Sequence, residues 1–151
     1  MLYDNTYVNI DMDAILANFD AVQSKTRVPI MAIIKADAYG HGAVQIARLL
    51  EPKVAFFGVS GVGEALELRQ SGLEKPILIL GHTPTSAYPQ IVGLGIRPAI
   101  FCREDAELLS REAVRQQTTA KFHLAVDTGM SRLGFQCTRE DAAVCAGIAR
   151  L

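Results

Sequence analysis

The stretch Pro29-Ile30-Met31-Ala32-Ile33-Ile34-Lys35-Ala36-Asp37-Ala38-Tyr39-Gly40-His41-Gly42 decides how the chain folds. It begins as an apolar run of strand length, rich in Ile. It then breaks at a lysine and passes through two glycines into the helical pattern Ala43–Leu50. A short apolar run followed at once by a helix is the start of a βα unit with a buried parallel strand. The same pairing recurs downstream. Apolar runs rich in Ile, Val and Phe stand at Val54–Val59, Pro76–Leu80, Pro98–Phe101 and Phe122–Val126. Between them, Val62–Ser71 has helical spacing and stops at Gly72, a residue suited to a helix C-terminus. Glu104–Gln116 carries Glu104, Asp105 and Glu107 early, Arg111 and Arg115 late, and an apolar stripe of Ala106, Leu109 and Ala113. That charge order suits the helix dipole. Upstream, Met12, Ile15, Leu16, Phe19 and Val22 share one helical face, with Asp11 as the expected N-cap.

Strand–helix alternation without hairpin signals implies an α/β fold with a parallel sheet. About five βα units are present. Their repeat, roughly 22 residues, suits a (β/α)8 TIM barrel better than a doubly wound nucleotide-binding sheet. No GxGxxG follows the first strand. Gly58-Val59-Ser60-Gly61-Val62-Gly63 lacks the lysine and hydroxyl of a phosphate loop and reads as a tight βα turn. Five units make a partial barrel, since a closed one takes about 250 residues. Val144, Ile148 and Leu151 have i, i+4, i+7 spacing, which puts the last residue on an apolar helical stripe with no stop signal. Residues 1–151 are therefore expected to be the N-terminal part of a longer barrel protein.

Composition narrows the function. The chain has 151 residues, half of them hydrophobic, with Lys+Arg 15 against Asp+Glu 16. This is too apolar and too balanced for a disordered chain. It lacks the basic excess of a nucleic-acid binder. No apolar run reaches the roughly 18 residues of a membrane helix. The N-terminus has no basic segment followed by an apolar core, so no secretory signal is read and a cytoplasmic location is expected. Cys102, Cys137 and Cys145 show no metal-ligand spacing and read as free thiols. His41, His82 and His123 are too dispersed to suggest a metal cluster.

In an α/β barrel the reactive groups gather at the C-terminal ends of the strands. Alternation sets Met31, Ile33 and Lys35 on one face and Ile30, Ala32 and Ile34 on the other. The face against the helices must be apolar, so Lys35 points toward the barrel mouth. An amine there is a candidate nucleophile toward carbonyl groups, as Schiff-base chemistry requires. A lysine ending a strand can equally well snorkel into water. Tyr39 alone reads as a packing residue. In the fifth unit, Phe122, Leu124 and Val126 are expected to face the helices, with His123, Ala125 and Asp127 inward. Arg132 lies in the loop beyond, where a guanidinium can hold a carboxylate, a phosphate or a phenolate oxygen, or simply cap the next helix.

Four segments carry a family resemblance, two of them long. Lys35-Ala36-Asp37-Ala38-Tyr39-Gly40-His41-Gly42 closely resembles the cofactor-attachment segment of the alanine racemases. Asp127-Thr128-Gly129-Met130-Ser131-Arg132-Leu133-Gly134 resembles a second segment of that family. Ile10–Ile15 with Asn18, and Pro76–Gly81, resemble its opening helix and third strand, and all four occur in family order. The resemblance implies a pyridoxal-5'-phosphate-dependent isomerase that interconverts L- and D-alanine, acting as a homodimer when full length. It implies that Lys35 is the Schiff-base lysine and the base for the D-enantiomer. Tyr39 would bind the cofactor phosphate, Leu80 would pack near the cofactor, and Arg132 would contact both the cofactor and the substrate carboxylate. The rest of the barrel, a second domain and the tyrosine acting from the opposite face lie outside the chain on this reading, so the fragment alone is expected to be inactive. Ala125 stands where the family often has a carbamylated lysine. That keeps a serine, lysine or broad-specificity racemase open, along with a non-catalytic barrel that only binds the cofactor.

Overall fold

The computed structural model describes residues 7–151. Met1–Thr6 lie outside the described residues. Five parallel strands form a sheet in chain order: β1 (Met31–Ile33), β2 (Phe56–Val59), β3 (Ile77–Ile79), β4 (Arg97–Ile100) and β5 (His123–Leu124). The intervening helices are α3 (Ala43–Leu50), α4 (Val62–Gln70), α5 (Tyr88–Gly93) and α6 (Arg103–Arg115). α1 (Met12–Lys25) precedes the sheet, α7 (Arg139–Ile148) follows it, and α2 (Lys35–Gly40) is a short turn described below. This is a partial α/β barrel, as the strand–helix alternation predicts.

Alternation divides the sheet into two faces. Phe57, Val59, Ile77, Ile79, Pro98 and Ile100 are fully buried against the helices. Each such side chain contributes about 1.5–3 kcal/mol of apolar burial. On the other face Met31 and Ile33 are 37% exposed and Leu80 is 36% exposed. That face is the inside of the barrel, and the five strands leave it open.

The helices follow the sequence closely. The Asp11 carboxylate caps α1 by accepting from the Ala14 N–H at 2.9 Å. Met12, Ile15, Leu16 and Phe19 pack on the core, whereas Val22, placed on the same stripe, is 58% exposed. Ala106, Leu109 and Ala113 are the buried residues of α6. Gly72, at φ +90°, follows α4. α5 and the 3-10 turn Thr85–Ala87 before it have too short an apolar period to stand out in sequence. On α7, Val144 packs against the core and Ile148 is buried. The helix ends there, and Leu151 is 59% exposed, so the predicted stripe stops one position short. Four of the five strands are shorter than the apolar runs that encode them, and β4 is displaced one residue toward the N-terminus of its run.

Candidate functional site

The chain leaves β1 at Ile34 and enters an unusual conformation. Ala36, Asp37, Ala38 and Tyr39 all have φ between 50° and 57° and ψ between 36° and 54°. Four successive non-glycine residues thus form one turn of left-handed helix. L-residues disfavour this conformation by roughly 1–2 kcal/mol each, so the turn persists only because its surroundings hold it. The Ala38 N–H donates to Ile34 O at 3.0 Å and the Gly42 N–H to Asp37 O at 3.0 Å. Asp37 Oδ1 accepts from the Ala43 N–H at 2.6 Å. It thereby satisfies a free amide at the N-terminus of α3, where negative charge is also favoured by the dipole. His41 Nδ1 lies 2.9 Å from Ala38 O. Gly40 and Gly42, at φ +85° and +87°, carry the chain out of the turn.

Glu64, in the first turn of α4, reaches the same turn from outside. Its Oε1 accepts from the Ala36 N–H at 2.8 Å. Its Oε2 accepts from the Ser60 N–H at 2.7 Å and from the Ser60 hydroxyl at 2.8 Å. Burial pushes the Glu64 carboxyl up, but the hydrogen bonds from Ser60 and Ala36 outweigh it and hold the group below the usual carboxylate range. Sequence reasoning missed Glu64. A glutamate at the third position of a helix, reaching back to amides at its start, is the half-box pattern that could have flagged it.

Lys35 stands where this turn begins. It is partly buried, its Nζ lies 5.9 Å from the centroid of the Tyr39 ring, and among the described residues it forms no ion pair. Tyr39 itself is 60% exposed. Leu80 follows β3 on the inner face. A Cβ at Gly58 would meet Ile33 Cδ1 at 2.6 Å, Leu80 Cδ1 at 3.4 Å and Met31 Sδ at 3.5 Å. The missing side chain of Gly58 is what lets these three residues close together beneath the strand ends.

The fifth strand end is built differently. The Asp127 N–H donates to Phe135 O and the Phe135 N–H to Ala125 O, each at 2.8 Å, which cinches residues 127–134 into a closed loop. Gly134, at φ +120°, sits in the neck, where a Cβ would lie 2.7 Å from Asp127 N. Inside the loop Asp127 Oδ1 accepts from the Gly129 N–H at 2.9 Å and the Ser131 N–H at 3.0 Å, and Oδ2 from Gln136 Nε2 at 3.0 Å. These backbone and side-chain bonds hold the Asp127 carboxyl below its ordinary range. Asp127 was expected to face inward with His123 and Ala125. It turns into its own loop instead, because those amides would otherwise lack a partner. Val126, expected against helices, is 52% exposed. Arg132 rides exposed on this loop and among the described residues forms no ion pair. The structure brings Lys35 and Tyr39 together. Arg132 stands apart, beyond the strand at the opposite edge of the sheet from β1.

Deeper on the inner face, the Arg97 guanidinium lies 4.6 Å from the Phe56 ring centroid, and the His123 ring meets Phe56 edge-on at 5.8 Å. Burial, with the charge of Arg97, pushes the His123 imidazole down. Cys102, Cys137 and Cys145 are free, and no metal-binding cluster of His, Cys, Asp or Glu occurs among the described residues. No helix among them is long and apolar enough to cross a membrane. The Gly58–Gly63 stretch holds the tight βα turn predicted: it runs from the end of β2 through Ser60-Gly61 into the first residues of α4.

A parallel barrel segment with a lysine after its first strand and an arginine-bearing loop after its fifth is the strand-end arrangement of an α/β barrel, whose reactive groups gather there. The chain belongs to the family described as alanine racemase, N-terminal domain, whose model matches residues 10–151. It is 42% identical over 133 residues to alanine racemase 1 of Caldanaerobacter subterraneus subsp. tengcongensis, covering 86% of this chain and 34% of that protein. The solved alanine racemase of Clostridium difficile 630 in complex with cycloserine superposes with a TM-score of 0.95 at 34% identity, over 100% of this chain and 42% of that one. The histidine racemase of Leuconostoc mesenteroides subsp. sake superposes with a TM-score of 0.83 at 28% identity, over 92% of this chain and 38% of that one. The chain thus spans about a third of the length of the first of these relatives.

Proposed function

We propose that this chain is the lysine-bearing N-terminal part of a pyridoxal-phosphate-dependent racemase that interconverts L- and D-alanine. The observation that carries the reading is Lys35, an amine without a counter-charge among the described residues, set at a strand end on a strained turn within a family of racemases. The donor set fits the cofactor: a free amine for its aldehyde, a phenol hydroxyl and a guanidinium for its anionic groups. When bound, pyridoxal phosphate supplies an electron sink that makes the substrate Cα–H removable.

The chain's own groups then have distinct tasks. The Lys35 amine would hold the cofactor and would accept the α-proton of the D-enantiomer at Nζ. The Tyr39 hydroxyl would donate to the phosphate, and the Leu80 side chain would exclude water from the ring. Arg132 pairs its planar guanidinium with the substrate carboxylate. Racemisation also needs an acid/base on the opposite face, which falls to residues beyond this chain, as does assembly into a homodimer. No nucleic acid or membrane partner is part of this reading, and the 151 residues alone are expected to lack activity.

Replacing Lys35 by Ala in the full-length protein is expected to reduce alanine racemisation by at least about 10²–10⁴-fold. Borohydride treatment should no longer fix pyridoxal phosphate to the Lys35 peptide. A Lys35→Ala enzyme that racemises at the wild-type rate ends the proposal. A second reading, a racemase for another amino acid, draws on Ala125 beside the Arg132 loop and on the likeness to a histidine racemase. Relative rates on purified L-alanine, L-serine, L-lysine and L-histidine decide between the two.

A further inference from the structure

We propose that Glu64 is the positioning residue for Lys35, its carboxylate fixing the peptide that follows the lysine and so setting where the amine stands at the strand ends. The inference deepens the racemase reading and rests on it for the role of Lys35.

The peptide N–H that Glu64 Oε1 accepts, at 2.8 Å, belongs to Ala36, and that peptide is bonded directly to the backbone of Lys35. Ala36 is also the first left-handed residue of α2, at φ 50°. The bond therefore acts at the point where the chain departs from strand geometry. A helix-capping role alone would need only the other oxygen. Oε2 accepts from the Ser60 N–H and hydroxyl close to the start of α4, whereas Oε1 crosses 28 residues of sequence to a different loop. The carboxylate is the bridge: the β2–α4 loop anchors one oxygen, and the other oxygen anchors the lysine turn. Bonds of this kind, with an ionised acceptor, are about twice as strong as neutral ones. A turn of four unfavourable backbone conformations depends on such outside support. Without it the Lys35 Cα shifts, and the amine at the end of a flexible stem shifts further.

The test uses the full-length protein and pyridoxal phosphate itself. In Glu64→Gln one oxygen can serve Ala36 or Ser60, while the carboxamide NH2 must face the other donor. Glu64→Asp is one methylene too short to span both loops. Each variant is expected to need about tenfold more pyridoxal phosphate for half-maximal borohydride-trapped attachment at Lys35, the worth of one hydrogen bond to a charged group. The pH at which the bound cofactor's absorbance titrates should move, and kcat should fall while the KM for alanine changes less than about twofold. Ser60→Ala, which leaves the Ala36 bond intact, should stay within about threefold of wild type. Ile91→Val, a fully buried change in α5, serves as the control for lost stability and should alter neither attachment nor its pH profile. If Glu64→Gln and Glu64→Asp melt lower yet attach and titrate like wild type, Glu64 is a structural residue and the inference is overturned. If Ser60→Ala impairs attachment as strongly as Glu64→Gln, the Ala36 bond is not the determinant, with the same result. Wild-type protein that attaches no pyridoxal phosphate at Lys35 instead overturns the racemase reading, and this inference with it.

Discussion

The two ends of the sheet present their basic residues by opposite means. Lys35 sits on a turn that is locally unfavourable and is held from outside, through Glu64 on α4. Arg132 sits on a loop that supplies its own support, through Asp127 at its root and the two backbone hydrogen bonds across its neck. One site stores strain and borrows rigidity. The other is closed upon itself, and its arginine remains exposed. Precision at the amine is therefore a tertiary property, whereas order in the arginine loop is a local one. Under the proposed function this division has a use: a reacting amine must be placed to a fraction of an ångström, while a guanidinium that clamps a carboxylate on arrival can tolerate more freedom.

Breaking the local closure should have the largest effect on stability. Gly134→Val places a branched side chain at φ +120° and against the Asp127 backbone nitrogen. It is expected to destabilise the protein by about 2–3 kcal/mol, read from urea melts, and to open residues 127–134 to proteolysis while leaving Lys35 attachment to the cofactor largely intact. Asp37→Ala strikes the other region. Loss of the bond to Ala43 at the start of α3 should cost about 1–2 kcal/mol, accompanied by weaker attachment at Lys35. If Gly134→Val disturbs the lysine more than Asp37→Ala does, the two regions are coupled and the contrast fails. A smaller effect of opposite sign is expected from Ala36→Gly. Glycine adopts φ 50° freely, so relief of strain should raise the unfolding free energy read from urea melts by up to about 1 kcal/mol, with a looser lysine as the consequence.

Acid sharpens the same contrast without mutation. The carboxyls of Glu64 and Asp127 are held below the ordinary range, and that of Glu112, bonded to Arg115 and Gln116, is lowered to about 2. A lowered carboxyl gives stability that is complete above its ordinary pKa and lost as pH falls through its folded value. His123 is lowered from 6.5 by burial and by Arg97, so it favours the fold as a neutral ring. Its contribution is complete above about 6.5 and declines on acidification. Urea midpoints should thus be flat from pH 8 to 7, fall slightly by pH 5, and fall steeply below 4. In His123→Gln the decline between pH 7 and 5 should flatten.

Much of this was legible in the sequence because it depends on local pattern. Strand runs, the Asp11 cap and the α6 stripe follow from periodicity and propensity over a few residues. The motif around Lys35 was legible as a family segment but not as a shape. Nothing in Ala-Asp-Ala-Tyr announces a left-handed turn, since none of the four is glycine and the conformation is imposed by Glu64, Asp37 and the flanking strand. Glu64 itself reads as an ordinary acidic residue in the first turn of a helix, because its decisive donor is a backbone amide distant in sequence. Asp127 was seen as inward-facing, yet its real partners are amides of its own loop, which side-chain alternation does not count.

The strand order carries a consequence for how the chain comes into being. Each strand pairs with the one before it, so every new unit finds its partner already made, and closure distances stay short. A chain folding from its N-terminus during synthesis can lay down these units like courses of brick. Glu64 emerges within α4, one unit after Lys35, so the lysine turn can be locked while the segment that carries Arg132 is still being translated. The four left-handed residues can thus be fixed early, by a residue that arrives soon after them.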